Sequence, residues 1–523
     1  MKDKLVKEDI GLIDEIIELL KQLGSMEAHA LASYRSTKEQ YWLNVKDETR
    51  KIRTRWLSMI VKKDNGQGWC FLPKTKIITS RGMVDIEDIK VGDKVLTHKN
   101  RFMDVLETYQ REIKEEVVEI KTNYTNLNLN VTKNHLFYVA SGLRSPQKDC
   151  WKKDFKKPKF VWKIAEELSR EDFLYLPRYN IINDIDKILV EYRAPHKTQY
   201  GECSVDFYDS AELKVDSSLM RLIGLYLSEG NHNEFLEKKH GWKSGGVAFT
   251  FSLKEEDFAK QVVESLHNRF GSIVSPSIRD STIQVYSSKR VVREFFSQFG
   301  SHAHNKVIPQ WVIDLPKEKL SFLLRGLFEG DGSTDKFQFK YATVSREMAF
   351  AMRLILNKCG ILCNLSNRGR QKDSIINGRK IISRHDVYHL AISGDSARRF
   401  SELTGFPYSG GKKTSGQFGH VGKEYFLIPI LGIKKERYMG KVYNFAVNED
   451  ESYATFNGVA HNCFSKHSHE ALMRVEEIAT RFLSTRQLSE IEKCDEDYDT
   501  IFKNLFLVNG LFDKIKFETK SGA

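Results

Sequence analysis

The sequence predicts an α+β protein of several domains, in which a β-rich domain written in two pieces is interrupted by a pseudo-two-fold αββαββα insertion and flanked by helical ends. Three observations predict it. Hydrophobic spacing switches from helical to alternating at Cys70 and back again at Cys463. A block of sequence recurs between about Asp216 and Lys413. The chain has 523 residues, whereas one core usually organises about 100 to 200.

Residues 1–69 place apolar side chains at helical spacing, as in IGLIDEIIELLKQLG, and residues 463–523 do so in SHEALMRVEEIATRFLSTRQLSEIEK. Joined, the two ends predict a small helical bundle. Residues 70–180 read as short alternating strands punctuated by turns, among them TKIIT, EEVVEIKT and LNLNVTKNHLFYVA. The same texture returns over 418–462, so one β domain spans both pieces, and residues 181–215 read as a linker. Within 216–413, LIGLYLSEG at 222–230 matches LRGLFEGDG at 324–332. Each is followed by a strand ending in Ser, a helix, a further strand ending in Ser, a last helix and a lysine, Lys306 in the first copy and Lys412 or Lys413 in the second.

Composition narrows the function classes. Seven cysteines form no CxxC pair, which argues against a zinc site or a disulfide framework and for reduced thiols. The charged N-terminal stretch MKDKLVKEDIGLIDEIIELLKQLG lacks the apolar run of a signal peptide, and no long apolar segment predicts a membrane span, so the expected place is the cytoplasm, with no membrane partner. The net charge of +12 resides wholly between Cys70 and Asn462, because acids and bases balance across the two ends. An insertion with its own positive charge suits a polyanionic partner.

Taken together, a leading Cys70, the VTKNH at 131–135, two nonapeptides and the HNC at 461–463 resemble an intein: a Hint-type protein-splicing domain containing a LAGLIDADG homing endonuclease. On that resemblance residues 70–180 and 418–462 are the splicing domain, 216–413 the endonuclease, and 1–69 and 463–523 the helical exteins of an unrecognised host. The resemblance implies autocatalytic excision of 70–462 with ligation of Trp69 to Cys463. Cys70 converts the amide after Trp69 into a thioester, Thr132 hydrogen-bonds the scissile region and His135 delivers the proton to the leaving nitrogen. Cys463 then takes over the acyl group, Asn462 cyclises with His461 as proton donor, and a sulfur-to-nitrogen shift restores a peptide bond. No cofactor is implied for splicing. Two positions depart from the family pattern, with Asn444 where an Asp is usual and Glu451 where a His is usual, which bears on rate and pH dependence.

For the insertion the resemblance implies a nuclease acting on double-stranded DNA at the intein-less insertion site, as a monomer with two repeats. Each nonapeptide helix ends in an acid followed by glycine, Glu229 and Asp331, while Gly224 and Gly326 permit close helix packing that brings the two acids together. Paired carboxylates suit Mg²⁺ and in-line phosphodiester cleavage. Lys306 and Lys412 fall where such enzymes keep a lysine near the scissile phosphates. The strands of each repeat would form a saddle in the major groove. Rival readings are a splicing-active intein with a decayed endonuclease, a hedgehog-type autoprocessing Hint domain, which needs neither Asn462 nor Cys463, and a helical binding protein with a merely structural β insert.

Overall fold

The computed structural model describes residues 69–462 apart from 142, 144–157, 199–200, 238–241, 280, 336, 372–373, 377–378 and 411–419. The helical ends expected over 1–69 and 463–523, and with them Cys463, lie outside the described residues, save Trp69; so do Lys412 and Lys413.

The first β piece supplies β1 (Lys76–Thr79), β2 (Gly82–Asp85), β3 (Lys94–Leu96), β4 (Phe102–Thr122), β5 (Leu129–Thr132), β6 (Leu136–Ala140), β7 (Phe160–Ile164) and β8 (Phe173–Pro177). Residues 181–215 are not a plain linker. β9 (Lys187–Thr198) and β10 (Gly201–Lys214) pair antiparallel along the segment. Alternation in KILVEY and in its partner AELK carries the pairing, and Val215 N donates to Asp186 O at 2.7 Å to close the base. This alternation is too short and too polar to stand out from a connecting segment in sequence.

The insertion follows as α1 (Ser217–Glu229), β11 (Gly230–Glu237), β12 (Trp242–Ser252), α2 (Glu256–Phe270), β13 (Ser277–Arg279), β14 (Thr282–Ser287) and α3 (Arg290–Ser297). The second copy runs α4 (Lys317–Gly330), β15 (Gly332–Thr334), β16 (Gln338–Thr343), α5 (Arg346–Lys358), β17 (Asn364–Arg370), the small ribbon β18 (Ser374–Ile376) and β19 (Arg379–Ile381), β20 (Asp386–Ser393) and α6 (Gly394–Thr404). Its sheets have matching orders, β11, β12, β14, β13 and β15, β16, β20, β17. Asp216 caps α1 by accepting from the amides of Ser218 and Leu219 at 3.0 and 3.1 Å, and Ser345 caps α5 by accepting from Met348 N at 3.1 Å.

The chain then returns to the β domain with β21 (His420–Val421), β22 (Tyr425–Val447), β23 (Ser452–Thr455) and β24 (Gly458–His461). These are not appended but interleaved: β22 pairs with both β8 and β4, β24 lies between β6 and β23, and β23 reaches β1, in one 12-stranded sheet. Every residue of β1, β8, β23 and β24 is buried, so the last four residues before Asn462 are held in the core.

The two folds also share an apolar core, because α5 docks on the β domain. Arg346 forms a two-pronged bond with Asp85 at 2.7 and 2.8 Å, and Lys76, 2% exposed, meets Glu347 at 2.8 Å. Further along α5, buried Arg353 donates to Asn457 Oδ1 at 2.6 Å, in the turn between β23 and β24, and Phe350 packs on Phe456 at 5.7 Å.

Candidate functional site

The first candidate site is built by the neighbours of Trp69 and Cys70. Phe71, fully buried, exchanges backbone hydrogen bonds with Tyr443 of β22 at 2.9 Å in each direction, and Leu72 N donates to Asn130 O of β5 at 3.0 Å. This fixes Cys70, itself 3% exposed, between the two pieces of the β domain. Thr132 at the end of β5 grips the residue from both sides: its Oγ1 accepts from Cys70 N and its own N donates to Cys70 O, each at 3.0 Å.

The turn after β5 carries His135 inward, with its N donating to Thr132 O at 3.1 Å. Its imidazole meets the Phe71 ring edge-on at 4.5 Å and lies against the backbone of His461. Burial pushes the imidazole down to about 3, the nearby His461 adding to it and the His461 backbone opposing it, so His135 is neutral at physiological pH. A neutral buried imidazole can pass a proton on and does not store one.

His461 ends β24 with its ring between two indoles, Trp69 at 5.0 Å and Trp162 at 5.1 Å. Its Nδ1 lies 3.0 Å from the carbonyl oxygen of Asn462. A carbonyl only accepts, so this contact assigns the proton to Nδ1. Burial lowers the ring below its ordinary value, against the Glu451 carboxylate and the Asn462 carbonyl. Asn462 is anchored by its N, which donates to Glu451 O at 2.9 Å, and its Nδ2 faces Val447 O at 3.4 Å. Glu451 thus holds Asn462 through its backbone and counters the burial of His461 through its charge.

Asn444 of β22 approaches Trp69. Its Nδ2 donates to the Trp69 carbonyl oxygen, and its Oδ1 accepts from Phe445 N at 2.8 Å and from the Tyr453 hydroxyl at 2.7 Å. Cys70, Thr132, His135, His461 and Asn462 are therefore brought to one place, while Cys463 lies outside the described residues. Sequence reasoning missed Trp162 and Tyr453. No spacing marks Trp162, and only the strand-prone run SYATF hints that Tyr453 lies in a strand.

The second site lies where α1 and α4 cross. A Cβ on Gly224 would stand 2.5 Å from Leu323 O, and one on Gly326 would stand 2.3 Å from Arg221 O, so the helices touch backbone to backbone. Ser228 Oγ donates across the contact to Leu327 O at 2.9 Å, and Arg221 pairs with Glu329 at 2.6 Å. This closeness puts Glu229 and Asp331 side by side in electrostatic reach. Burial and then the Asp331 charge raise Glu229 to about 7, and burial raises Asp331 to about 6 despite Lys306 and the Tyr341 hydroxyl. Lys306 is 3% exposed, donates to Tyr226 O at 2.6 Å and Gly230 O at 2.7 Å, and rides 3.8 Å from the Tyr226 ring. Burial drops it to about 7, with both acids opposing.

Among the described residues no group of three or more His, Cys, Asp or Glu forms a protein-only metal cage. Two crowded carboxylates with raised proton affinity nonetheless fit a divalent cation, whose charge would offset their repulsion while water and phosphate oxygens complete its shell.

Residues 69–136 match the Hint domain family and residues 318–405 match the LAGLIDADG-like domain family. The chain therefore joins a Hint domain to a LAGLIDADG-like domain, and this is the architecture of an intein with a homing-endonuclease domain. It is 28% identical over 427 residues to an uncharacterized protein of Methanocaldococcus jannaschii, covering 76% of this chain and 51% of that protein. It is 27% identical over 425 residues to the ATP-dependent DNA helicase Hel308 of Thermococcus kodakarensis, covering 75% of this chain and 36% of that protein. The chain thus spans about half or less of these relatives. Among solved structures it is similar to the homing endonuclease I-DmoI, with 15% identity and a TM-score of 0.29 over 37% of this chain and 98% of that one. Among the described residues no helix is long and apolar enough to cross a membrane.

Proposed function

We propose that this chain is a precursor that excises its own residues 70–462 and joins Trp69 to Cys463, and that the excised segment cleaves double-stranded DNA. The observation that carries the splicing reading is the packing of Trp69 on His461, residues far apart in sequence and adjacent to the two scissile bonds.

In the first step the Cys70 sulfur attacks the Trp69 carbonyl carbon. Thr132 holds the Cys70 amide by hydrogen bonds on both sides, and His135 passes the thiol's proton to the departing nitrogen. Cys463 then accepts the acyl group from Cys70. In the last cleavage the Asn462 side-chain nitrogen attacks its own backbone carbonyl, whose oxygen already receives the Nδ1 proton of His461. Release of residues 70–462 as a succinimide leaves a thioester that rearranges to the amide. The reaction needs the two junctions held together and no outside energy source.

Supporting the insertion reading, relatives with unlike printed names, a DNA helicase, a DNA polymerase II large subunit and a RecA protein, each share with this chain only a part of their own length. A segment that travels between hosts fits that distribution. For the nuclease, Glu229 and Asp331 would hold Mg²⁺, which supplies charge neutralisation at the scissile phosphate and an activated water. Lys306 supports the loop around the acids, and the duplicated unit supplies both acids from one chain, so a monomer suffices. The net charge of +12 favours the DNA polyanion.

The test is to incubate the purified precursor and weigh its products. Splicing yields two proteins, the joined ends and residues 70–462, and Cys70→Ala yields no joined product. A single unchanged species would refute the reading. Incubating the excised segment with DNA that carries the joined host sequence, with and without Mg²⁺, tests the nuclease separately.

A further inference from the structure

Asn444 and Tyr453 form a device at the first scissile bond that the reaction sequence above does not use. Asn444 is 2% exposed and stands where the family pattern has an aspartate. Which way its amide faces is decided by its neighbours. The Phe445 N–H can only donate, so the atom that meets it at 2.8 Å is the oxygen, and the Tyr453 hydroxyl at 2.7 Å gives that same oxygen a second donor. The Nδ2 is thereby turned onto the Trp69 carbonyl oxygen, to which it donates.

Tyr453 is fully buried and has little freedom to leave this position. Its ring packs 4.2 Å from Phe445 and 6.0 Å from Phe71, and its strand β23 is buried at every residue. A buried phenol needs a hydrogen-bond partner, and the partner here is the atom that orients Asn444.

We infer that Asn444 is the oxyanion donor of the first acyl transfer and that Tyr453 is a positioning residue which fixes the Asn444 amide towards the Trp69 carbonyl. The inference rests on the splicing reading and adds two residues to it. As the Cys70 sulfur bonds to the Trp69 carbonyl carbon, the carbonyl π electrons move onto oxygen, where the Nδ2 proton meets the developing charge. Collapse restores the carbonyl and breaks the carbon–nitrogen bond. The thiol's proton ends on the Cys70 nitrogen, so the step is an isomerisation that consumes no co-reactant. An ionised aspartate could act as a base here but could not donate; an asparagine donates and cannot act as a base. Proton transfer is left to His135, and polarisation of the carbonyl goes to residue 444.

The experiment uses the full precursor with Asn462→Ala, in which cleavage after Trp69 is read by release of residues 1–69 with excess dithiothreitol. Asn444→Ala is expected to slow release by about 100-fold and Tyr453→Phe by about 10-fold. In the double variant the Tyr453→Phe effect should vanish, because Tyr453 acts only through Asn444. Cleavage after Asn462, measured in a Cys70→Ala precursor, should stay within about twofold for Tyr453→Phe, which a loss of general stability would not allow. Release at the parent rate in Tyr453→Phe, independent losses in the double variant, or an equal fall in cleavage after Asn462 would each overturn the inference. A parent that releases nothing with dithiothreitol would overturn the splicing reading itself, and the inference with it.

Discussion

The Trp69 indole meets the His461 imidazole edge-on at 5.0 Å, with an interplanar angle of 78°. One residue precedes Cys70 and the other precedes Asn462, so a single ring contact ties together two ends of a segment that the sequence separates widely. Interleaving of β22, β23 and β24 with strands of the first piece makes that contact possible.

Replacing His461 with Ala is expected to slow cleavage after Asn462 by about 100-fold, since it removes the Nδ1–H that meets the Asn462 carbonyl. Thioester formation at Cys70 should persist, so residues 1–69 are still released by added thiol. Gel quantification of both cleavages in one sample checks this, and equal loss of the two would assign His461 a purely structural part.

Removing the insertion should damage the β domain. Without α5, Asn457 loses Arg353, Asp85 loses Arg346, and the apolar side of Phe456 faces water. A precursor with 216–413 replaced by a short linker is expected to splice poorly and to aggregate. The milder Arg353→Met keeps the packing but strips Asn457 of its donor, at a cost of about 1 to 3 kcal/mol by thermal melting. A linker variant that splices at the parent rate would show that the shared core is dispensable.

Gly224→Val or Gly326→Val should break the proposed nuclease site without touching the proposed splicing. A Cβ at either position meets backbone at 2.5 or 2.3 Å, which neither helix can relieve by a rotamer change. The helices must separate, costing about 1 to 3 kcal/mol and parting Glu229 from Asp331. Loss of DNA cleavage with retained splicing is the expected result.

If Glu229 and Asp331 hold Mg²⁺ as proposed, its binding depends on pH. Glu229 and Asp331 stand at about 7 and about 6 in the folded chain, above their ordinary values of 4.5 and 3.8. Their contribution to stability is thus fully present below about pH 4 and is lost as pH rises through 6 to 7. Lys306, lowered to about 7, works in the opposite sense: its contribution is present at high pH and lost as pH falls through 7. Asp331 keeps an exposed face, so solvent screens part of its share. On the proposed role of the two acids, Mg²⁺ would compete with protons for them, and the rise in melting temperature it produces should be larger at pH 8 than at pH 5. An equal rise at both would place the ion elsewhere.

Much of the candidate site was legible in the sequence because the proposed chemistry would be carried by short local patterns. Cys70, Thr132, His135, His461 and Asn462 announce themselves by residue type and position, and the glycines Gly224 and Gly326 by their place in a repeated block. What could not be read depends on long-range pairing. Trp162 reaches His461 only because β7 lies on β6, and β6 on β24. Tyr453 meets Asn444 only once β22 has paired with β8 at its start and with β4 along the rest of its length. The docking of α5 joins residues of two separate folds, and no periodicity within either one encodes it.

The most direct measurement is the state of the Asn462→Ala precursor, in which the last cleavage is blocked. If both junctions share one pocket, the acyl group moves from Cys70 to Cys463. A branched species then accumulates with the mass of the precursor and two N-termini, Met1 and Cys70, that hydroxylamine resolves into two chains. A precursor with one N-terminus, unmoved by hydroxylamine after long incubation, would contradict the shared site.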